Sequence, residues 1–385
     1  MKKINIAITI NIIEPEESLF TNGIKQNTII LRDCLLRSEL VNEVYYINFG
    51  HQKDISKSPW KAYEQWIMHD FKESLGKIDL YINAAVFMNE PEINAAREHG
   101  AKVINQVMGN EYYGFLENVL FKHNNSSIIR KIKGLDAAWI SPHLYENNKA
   151  LFEVLYDAPA YVAPYIWSPQ FLMGHIDRFR KNEQIEGYKP SGIPQKRIST
   201  FEPSIGMNKT AIFPMIIAEK FHDRYPDEVE RFNMFGTFHV KDKKPFLSFA
   251  LDLNVNRAKK MFFEARYPIA WSLLKHTDIL LSHQQDCDLN YLYFDAAWIG
   301  YPIVHNATRI KELGWYYPGF DDEKAVKQLH EVIQIFDTVP GYYEEYLKTS
   351  REYISQFLPE HDRNVTGYTE LIRLLFKDTL LFKDK

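Results

Sequence analysis

Short apolar segments rich in β-branched residues alternate along the chain with longer segments whose apolar residues recur every three or four positions. The short segments predict buried strands, and the longer ones predict helices that cover a sheet. In the first half the predicted strands are Ile4–Ile10, Val44–Asn48, Leu80–Ala84, Val103–Gln106, Ala137–Ile140 and Tyr161–Ala163. The predicted helices are Gly23–Arg37, Glu92–His99 and Leu144–Tyr156. This alternation is typical of a Rossmann-like α/β domain with a parallel sheet covered on both faces.

A stretch rich in proline, glycine and charge, Ser168 to Gln195, precedes a second α/β half. Its predicted strands are Ile198–Phe201, Phe232–Phe235, Ile279–Ser282 and Ile303–His305, and its predicted helices are Thr210–Arg224, Asn290–Trp298 and Glu323–Phe336. The predicted domains are therefore residues 1–168, a linker at 169–195, residues 196–340, and C-terminal helices at 341–385 that pack back across the domains. Ligands would bind in a cleft at the carboxyl ends of the strands.

Charge and cysteine content narrow the class of protein. The 385 residues include 46 Lys plus Arg and 50 Asp plus Glu, a net charge of -4, so any contact with nucleic acid must be a local basic patch. Two distant cysteines, Cys34 and Cys287, exclude a disulfide framework or a multi-cysteine metal site and favour a reducing cytoplasm. The apolar N-terminus is too short for a signal peptide, and no apolar run is long enough to predict a membrane span.

Two polar segments follow strands of the first half. Asn22, Gly23 and Gln26 lie after the first strand, where they either cap a helix or line a ligand site. The absence of a G-x-G-x-x-G pattern there disfavours a dinucleotide-binding oxidoreductase. Asn110 and Glu111 follow the fourth strand, and Glu111 is a candidate general base if its surroundings raise its pKa; a solvated loop carboxylate is the alternative.

In the second half, Glu202, Ser204 and Lys209 follow the first strand and precede a helix. A hydroxyl, a lysine and helix N–H groups together favour a diphosphate site, although the Walker spacing is missing and a simple capping loop would also explain the pattern.

The densest pattern runs from a strand through His283 and a polar loop to the helix headed by Asn290 and Tyr291. Tyr291 and Asp295 are four residues apart and would share one helix face, where an acid could accept the hydroxyls of a ribose. Asp286-Cys287-Asp288 matches an Asp-x-Asp metal motif, but a two-residue match arises often by chance, and no H-E-x-x-H pattern is present.

These patterns resemble the GT-B glycosyltransferases. The resemblance lies in the two-domain plan and in the series strand, loop, Asn290-Tyr291 helix, Asp295 and Gly300-x-Pro302. A closer resemblance, over nearly the whole chain, is to a glycosyltransferase-like domain-of-unknown-function family of bacteria and phages. Its patterns are similar to Asn22-Gly23-x-x-Gln26-Asn27, Phe201-Glu202-Pro203 with Lys209, and Ser282-His283 through Asn290-Tyr291-x-Tyr293 to Tyr301-Pro302-x-Val304-His305-Asn306. Asp295 departs from the GT-B pattern, which usually has Glu there.

The resemblance implies two Rossmann-like domains that face each other across a cleft, an acceptor domain followed by a nucleotide-sugar domain. It implies transfer of a sugar from a nucleotide-diphosphate donor, expected to be a UDP-sugar, without a bound metal or other cofactor. Lys209 and Ser204 would stabilise the leaving diphosphate, Glu202 and His283 would contact sugar or phosphate, and Asp295 the ribose. Asn290 and Tyr291 would complete the donor site, and Glu111 would take the acceptor proton.

The leading expectation for the acceptor is hydroxymethylcytosine in phage DNA, modified in the host cytoplasm. The alternatives are a bacterial surface glycan as acceptor and a non-catalytic protein that binds a sugar nucleotide or glycan.

Overall fold

The structure is a computed structural model that describes residues 3–17, 19, 23–121, 131–180 and 187–377. The chain divides into two compact units, Met1–Ser168 with Gln356–Lys385, and Pro169–Ser355. Each unit contains one parallel sheet. No helix in the described part of the chain has the length and apolar character needed to cross a membrane.

The first unit has a seven-stranded sheet in the order β3-β2-β1-β4-β5-β6-β7, with every neighbouring pair parallel. The strands are β1 Ile4–Ile10, β2 Val41–Asn48, β3 Ile67–Met68, β4 Leu80–Asn83, β5 Lys102–Val107, β6 Ala137–Ile140 and β7 Ala160–Val162. The helices between them are α1 Gly23–Leu35, α2 Glu90–Glu98, α3 Glu111–Phe121 and α4 Tyr145–Tyr156. Helices cover both faces, so a central strand such as β1 is buried almost continuously rather than at alternate positions.

The second unit has a six-stranded parallel sheet in the order β10-β9-β8-β11-β12-β13. The strands are β8 Lys196–Thr200, β9 Val229–Phe235, β10 Met261–Glu264, β11 Ile279–Leu281, β12 Ile303–His305 and β13 Trp315–Tyr316. The helices are α5 Gln170–Arg180, α6 Ile212–Arg224, α7 Lys244–Asp252, α8 Asn254–Arg257, α9 Ile269–His276, α10 Tyr291–Trp298, α11 Asp322–Ile335 and α12 Tyr342–Ser355. The final helix, α13 Asp362–Leu375, belongs to the first unit and packs against α1, whereas α12 packs against α10.

Both strand orders are those of the doubly wound Rossmann fold. The chain starts at the middle of each sheet, builds one side, and then returns to build the other. The order reverses between β1 and β4 in the first unit and between β8 and β11 in the second. Loops diverge at such a point and leave a crevice at the carboxyl ends of the two strands, so the segments after these strands are the positions for a ligand site.

The predicted α/β class with two Rossmann-like sheets is confirmed, and two local predictions are wrong. The predicted linker at 169–195 contains α5, which packs against α9 within the second unit. Glu111 was expected on a loop, but it opens helix α3. That helix begins there because the side chain of Asn148 accepts the Tyr112 N–H at 2.9 Å and so satisfies a first-turn amide.

Gly314 provides a test of the packing between β12 and β13. Its φ is +93°, and a Cβ atom would lie 2.5 Å from the Ile303 carbonyl oxygen. We expect Gly314→Ala to lower the free energy of unfolding by about 3 kcal/mol, because both the backbone conformation and the contact become unfavourable. Gly341, at φ +79° with open space around it, is the matched control. Gly341→Ala should cost only about 1 kcal/mol in urea unfolding, and equal losses would refute the steric explanation.

Candidate functional site

Three buried side chains meet at the reversal point of the second sheet. Glu202 lies two residues beyond β8, and Ser282 directly follows β11, the adjacent parallel strand. The Ser282 hydroxyl donates to Glu202 Oε1, and the Tyr293 hydroxyl lies 2.8 Å from Ser282 Oγ. Because Ser282 gives its only proton to the carboxylate, Tyr293 must donate to Ser282. Each of the three side chains is at most 1% exposed. Because β8 and β11 are adjacent, their ends bring these side chains together, and the hydrogen bonds run in one direction from Tyr293 through Ser282 to Glu202.

Glu202 is the electrostatic centre of this cluster. Burial raises the pKa of its carboxyl group, while Lys209, the Ser282 hydroxyl and the backbone N–H of His283 oppose that rise. Oε1 is bound by Ser282, but Oε2 is buried without a hydrogen-bond partner among the described residues. A buried acceptor without a donor is costly, so Oε2 is a candidate contact for a ligand.

His283 is neutral, and its surroundings determine its tautomer. The Tyr317 hydroxyl donates to the Ser282 carbonyl at 2.8 Å, so it can only accept from His283 Nδ1, which lies 3.2 Å away. The proton is thereby assigned to Nδ1, which leaves Nε2 as an acceptor. Burial lowers the pKa of His283 to about 4, and Nε2 has no partner in the described parts of the chain. This nitrogen can accept a hydrogen bond from a ligand hydroxyl.

An aromatic wall surrounds His283. The ring centroids of Phe213 and Phe320 lie 4.3 and 4.6 Å from the imidazole centroid, and Tyr317 stacks at 6.2 Å. This apolar environment explains the low pKa of the imidazole. Sequence analysis assigned no role in the site to these three aromatic residues, nor to Ser282 and Tyr293, which it quoted only as part of the family pattern. The position of Ser282 at a strand end beside a predicted site residue was the one usable signal.

The loop between β8 and α6 is held by hydrogen bonds between its own residues. Ser204 has φ +49°; its N–H donates to the Lys209 carbonyl at 3.1 Å, and its Oγ accepts the Ala211 N–H at 3.1 Å. The Ser204 hydroxyl therefore accepts the amide of the residue that precedes α6 and donates to the Glu202 carbonyl at 3.4 Å, so it could contact a diphosphate only in addition to these bonds. Lys209 is half-buried, and no carboxylate in the described ranges forms an ion pair with it. The loop thus holds a lysine beside Glu202 with its ammonium group available to an anion.

Helix α10 carries the remaining predicted donor residues. Asn290 is its N-cap and accepts the Leu292 N–H at 3.3 Å, so one of the amides expected to face a phosphate is already satisfied. Tyr291 and Asp295 are both half-buried and lie on one face of the helix.

The Asp-x-Asp segment has a structural role at Asp288. Its Oδ1 accepts from Gln284 Nε2 and its Oδ2 from Thr308 Oγ1, both at 2.6 Å. The first bond lies within the loop after β11, and the second ties that loop to the segment after β12. Within the part of the chain that the structure describes, no group of three metal-ligating side chains is assembled.

In the first unit, Asn22 lies outside the described residues, and Gly23 opens α1. Gln26 Nε2 donates to the Leu19 carbonyl at 2.8 Å, and Asn110 Oδ1 accepts from Asn148 Nδ2 at 3.2 Å. Both amides therefore help to shape loops at the carboxyl edge of the sheet.

Glu111 projects from the first turn of α3, where partial desolvation raises the pKa of its carboxyl group. Gln106, near the end of β5, is only 3% exposed, and its Oε1 has no hydrogen-bond partner among the residues described. Sequence analysis did not single out Gln106. A buried amide oxygen without a donor is a candidate contact for a hydroxyl-bearing molecule.

Two buried neutral histidines predict a loss of stability in mild acid. Burial lowers the pKa of His283 and of His305 to about 4, whereas an unfolded histidine has a pKa of about 6.5. Between these values the unfolded chain binds more protons, so stability falls as the pH falls. Urea unfolding should therefore show a loss of about 2 kcal/mol per histidine between about pH 7 and about pH 5. His283→Gln should remove about half of that loss, and substitution of the exposed His51 should leave it unchanged.

A family model described as "Protein of unknown function (DUF2827)" matches residues 6–372. No curated protein matches the chain significantly. Among solved structures, a glycosyltransferase from Rickettsia africae ESF-5 has a TM-score of 0.53 at 10% identity, covering 98% of this chain and 100% of that chain. A trehalose 6-phosphate synthase from Burkholderia multivorans has a TM-score of 0.55 at 9% identity, covering 99% of each. Anabaena Alr3699/HepE in complex with UDP has a TM-score of 0.51 at 10% identity, covering 98% and 100%. These neighbours confirm the GT-B fold class.

Proposed function

The chain belongs to the DUF2827 family, and from its fold and site we propose that it is a glycosyltransferase using a nucleotide-diphosphate sugar. The observation that carries this proposal is the arrangement at the reversal point of the second sheet. There Lys209 lies close enough to Glu202 to act on its carboxyl group, and the two buried side chains Glu202 and His283 each have an unsatisfied polar atom. The UDP in the complex of Anabaena HepE supports uridine as the donor nucleotide.

Lys209 would bind the donor diphosphate. Its ammonium group lacks a carboxylate partner in the described ranges, and the loop that holds it is closed by the Ser204 and Gly206 backbone contacts. Negative charge develops on the diphosphate as the sugar leaves, so a fixed cation stabilises the transition state more than the ground state. We assign no metal to this step, because the proposed charge stabilisation comes from Lys209 and backbone N–H groups.

Glu202 and His283 would hold the transferred sugar. His283 offers an acceptor nitrogen, which fits a sugar hydroxyl and not an unprotonated phosphate oxygen. Glu202 Oε2 would accept from a second hydroxyl or, when protonated, donate to one. Asp295 and Tyr291, on one face of α10, would contact the ribose. Asn290 would act by holding the start of that helix.

In the first unit we assign Glu111 the role of general base in an inverting reaction. Its raised pKa makes it a better proton acceptor than an ordinary solvated carboxylate. Gly23, Gln26 and Asn110 would shape the acceptor side.

For the acceptor we propose hydroxymethylcytosine in phage DNA, because the sequence resembles a family with phage members. A chain with net charge -4 can bind DNA only through local basic patches. Binding to a hydroxymethylcytosine duplex should therefore fall steeply with added salt. The absence of binding at low salt would overturn this acceptor and favour a bacterial surface glycan.

The activity itself is tested with a panel of UDP-sugars. We expect one donor to bind and to be hydrolysed slowly in the absence of acceptor, with release of UDP. The same donor with hydroxymethylated DNA should give a mass increase of one sugar per modified base. Tight binding without any turnover would overturn the proposal and favour a non-catalytic sugar-nucleotide-binding protein.

A further inference from the structure

Helix α3 of the first unit has an apolar surface that remains exposed. None of its eleven residues is buried, whereas the neighbouring α4 buries three. The consecutive residues Val119, Leu120 and Phe121 are 60%, 62% and 56% exposed. Contiguous exposed apolar residues are uncommon on a protein that acts free in solution, and they commonly mark an interaction surface.

The last turn of α3 is apolar on several sides. Successive residues of an α-helix point about 100° apart, so Val119, Leu120 and Phe121 together cover most of the circumference of the helix end. Tyr112 and Phe115, which are 37% and 36% exposed, recur at helical spacing with Val119 and extend this surface along one side of the helix. A flat protein partner would cover only one side of such a helix end, whereas a fluid apolar layer would surround it.

The chain that follows the apolar helix end is basic. From Asn118 to Leu135 the sequence contains four Lys and Arg residues and no Asp or Glu, although the whole chain has a net charge of -4. Of these cations, Lys131 and Lys133 lie in the described part of the chain, and both are exposed. Asp136, the next acid along the chain, is already bound by two cations at 2.8 and 3.1 Å. An excess of positive charge therefore accompanies the apolar surface.

Helix α4 connects the apolar helix to the two lysines. α3 packs against α4, and the Tyr112 N–H donates to the Asn148 side chain of α4 at 2.9 Å. Ile132 lies between the two lysines, and its N–H donates to the carbonyl of Leu155 in the last turn of α4 at 3.0 Å. Both features are therefore held against the same helix of the first unit.

This combination of apolar surface and positive charge selects the occupant. A bilayer with anionic lipid supplies both an apolar layer and negative charge. A nucleic acid would pair with the lysines but would leave the apolar helix end in water. A second copy of the chain, in a symmetric dimer built on this face, would bring identical lysines toward each other and would be opposed by their repulsion.

We propose that α3 docks the protein on a bilayer that contains anionic phospholipid. The apolar end of the helix would insert between the headgroups and the acyl chains, and Lys131 and Lys133 would bind the lipid phosphates. Tyr112 and Phe115 would lie at the level of the headgroups, where aromatic side chains are favoured. A helix of eleven residues is too short to span a bilayer, so α3 would remain at its surface. This inference does not rest on the proposed transferase activity, and its test needs no sugar donor.

Cosedimentation of the full chain with vesicles of phosphatidylcholine and phosphatidylglycerol tests the proposal. We expect saturable binding that weakens with added salt and weakens further when phosphatidylglycerol is left out. Val119→Gln combined with Leu120→Gln should lower the partition coefficient about 10- to 100-fold, because two apolar side chains no longer leave water. Lys131→Gln combined with Lys133→Gln should lower it about 10- to 30-fold, because each lysine near an anionic surface contributes about 5-fold.

Each double variant has a matched control. Val339→Gln combined with Leu374→Gln replaces a valine and a leucine that are 46% and 50% exposed and lie outside α3. Lys327→Gln combined with Lys348→Gln removes two exposed lysines and changes the net charge by the same amount. Both controls should bind the vesicles like the parent chain, and circular dichroism should show that every variant is folded.

Absence of binding to the anionic vesicles, or equal binding by the Val119 and Leu120 double variant, would overturn the proposal. A loss confined to the lysine double variant would also overturn it, because it would show attraction of anions without insertion of the helix. Analytical ultracentrifugation distinguishes the remaining occupant. A dimer of the parent chain that the Val119 and Leu120 substitutions abolish, together with no vesicle binding, would show that α3 joins two copies of the chain.

Discussion

Lys209→Met should reduce turnover of the UDP-sugar donor by about 100- to 1000-fold, the loss expected when one preorganised charge stabiliser is removed from a transition state. The structure places this lysine in a closed loop, half-buried, next to Glu202 and without an ion pair to a described carboxylate. Its ammonium group acts on Glu202 without forming an ion pair with it, so a leaving diphosphate could still pair with this group. Steady-state kinetics with the preferred donor measure the effect.

The pattern of the loss is as informative as its size. An interaction made mainly in the transition state lowers kcat and kcat/KM together, with a smaller change in donor affinity. Lys209→Arg should recover part of the activity, because the charge is kept while its geometry changes. Lys244→Met is the control, since Lys244 is exposed at the start of α7. Near-normal turnover of Lys209→Met with intact folding would remove this residue from the site.

The strands that the sequence predicted with their observed bounds are central strands of covered sheets. Ile4–Ile10, Ala137–Ile140 and Ile303–His305 were predicted with their observed bounds, because central strands of a covered sheet appear as continuous apolar runs. Three edge strands were missed, namely β3 and β13, with two residues each, and β10, with four. A strand of two residues is too short to show a periodic pattern of apolar residues, so β3 and β13 could not be predicted from the sequence. Each forms by pairing with the edge of a longer neighbouring strand.

The sequence predicted several residues of the candidate site but not that they lie next to one another. Glu202 and His283 were singled out because polar residues at strand ends mark ligand sites in such sheets. Their meeting requires β8 and β11 to be neighbours although β9 and β10 intervene in the chain. Local sequence does not encode that adjacency, and the Tyr293 and Tyr317 hydroxyls that complete the network depend on it.

The same limit applies to Ser204 and Asn290. Ser204 was expected to contact the diphosphate and Asn290 to complete the donor site, and both use their side chains to accept backbone N–H groups at the start of a helix. Whether a polar residue before a helix caps it or binds a ligand depends on backbone angles, such as the positive φ of Ser204, that composition does not reveal.

Glu202→Gln should have opposite effects on activity and on stability. Turnover should fall about 100-fold, because the amide cannot carry the charge or the proton of the carboxyl group at the buried Oε2 position. Stability should rise at neutral pH. Burial raises the pKa of Glu202, so above its ordinary value the folded chain binds more protons than the unfolded chain, and stability decreases as the pH increases.

The glutamine variant has no carboxylate to bury. Its free energy of unfolding should therefore exceed that of the parent chain at neutral pH, and the difference should vanish toward the ordinary pKa of a glutamate.

Ser282→Ala separates this effect from the contribution of the hydrogen-bond network. Removing the Ser282 hydroxyl leaves Glu202 Oε1 and the Tyr293 hydroxyl without their partner, and should destabilise the chain by about 1 to 3 kcal/mol. The two substitutions together should not be additive, since they share one hydrogen bond. A glutamine variant that kept full turnover, or that unfolded more easily at neutral pH, would mean that Glu202 is a structural support for the loop and not part of the sugar site.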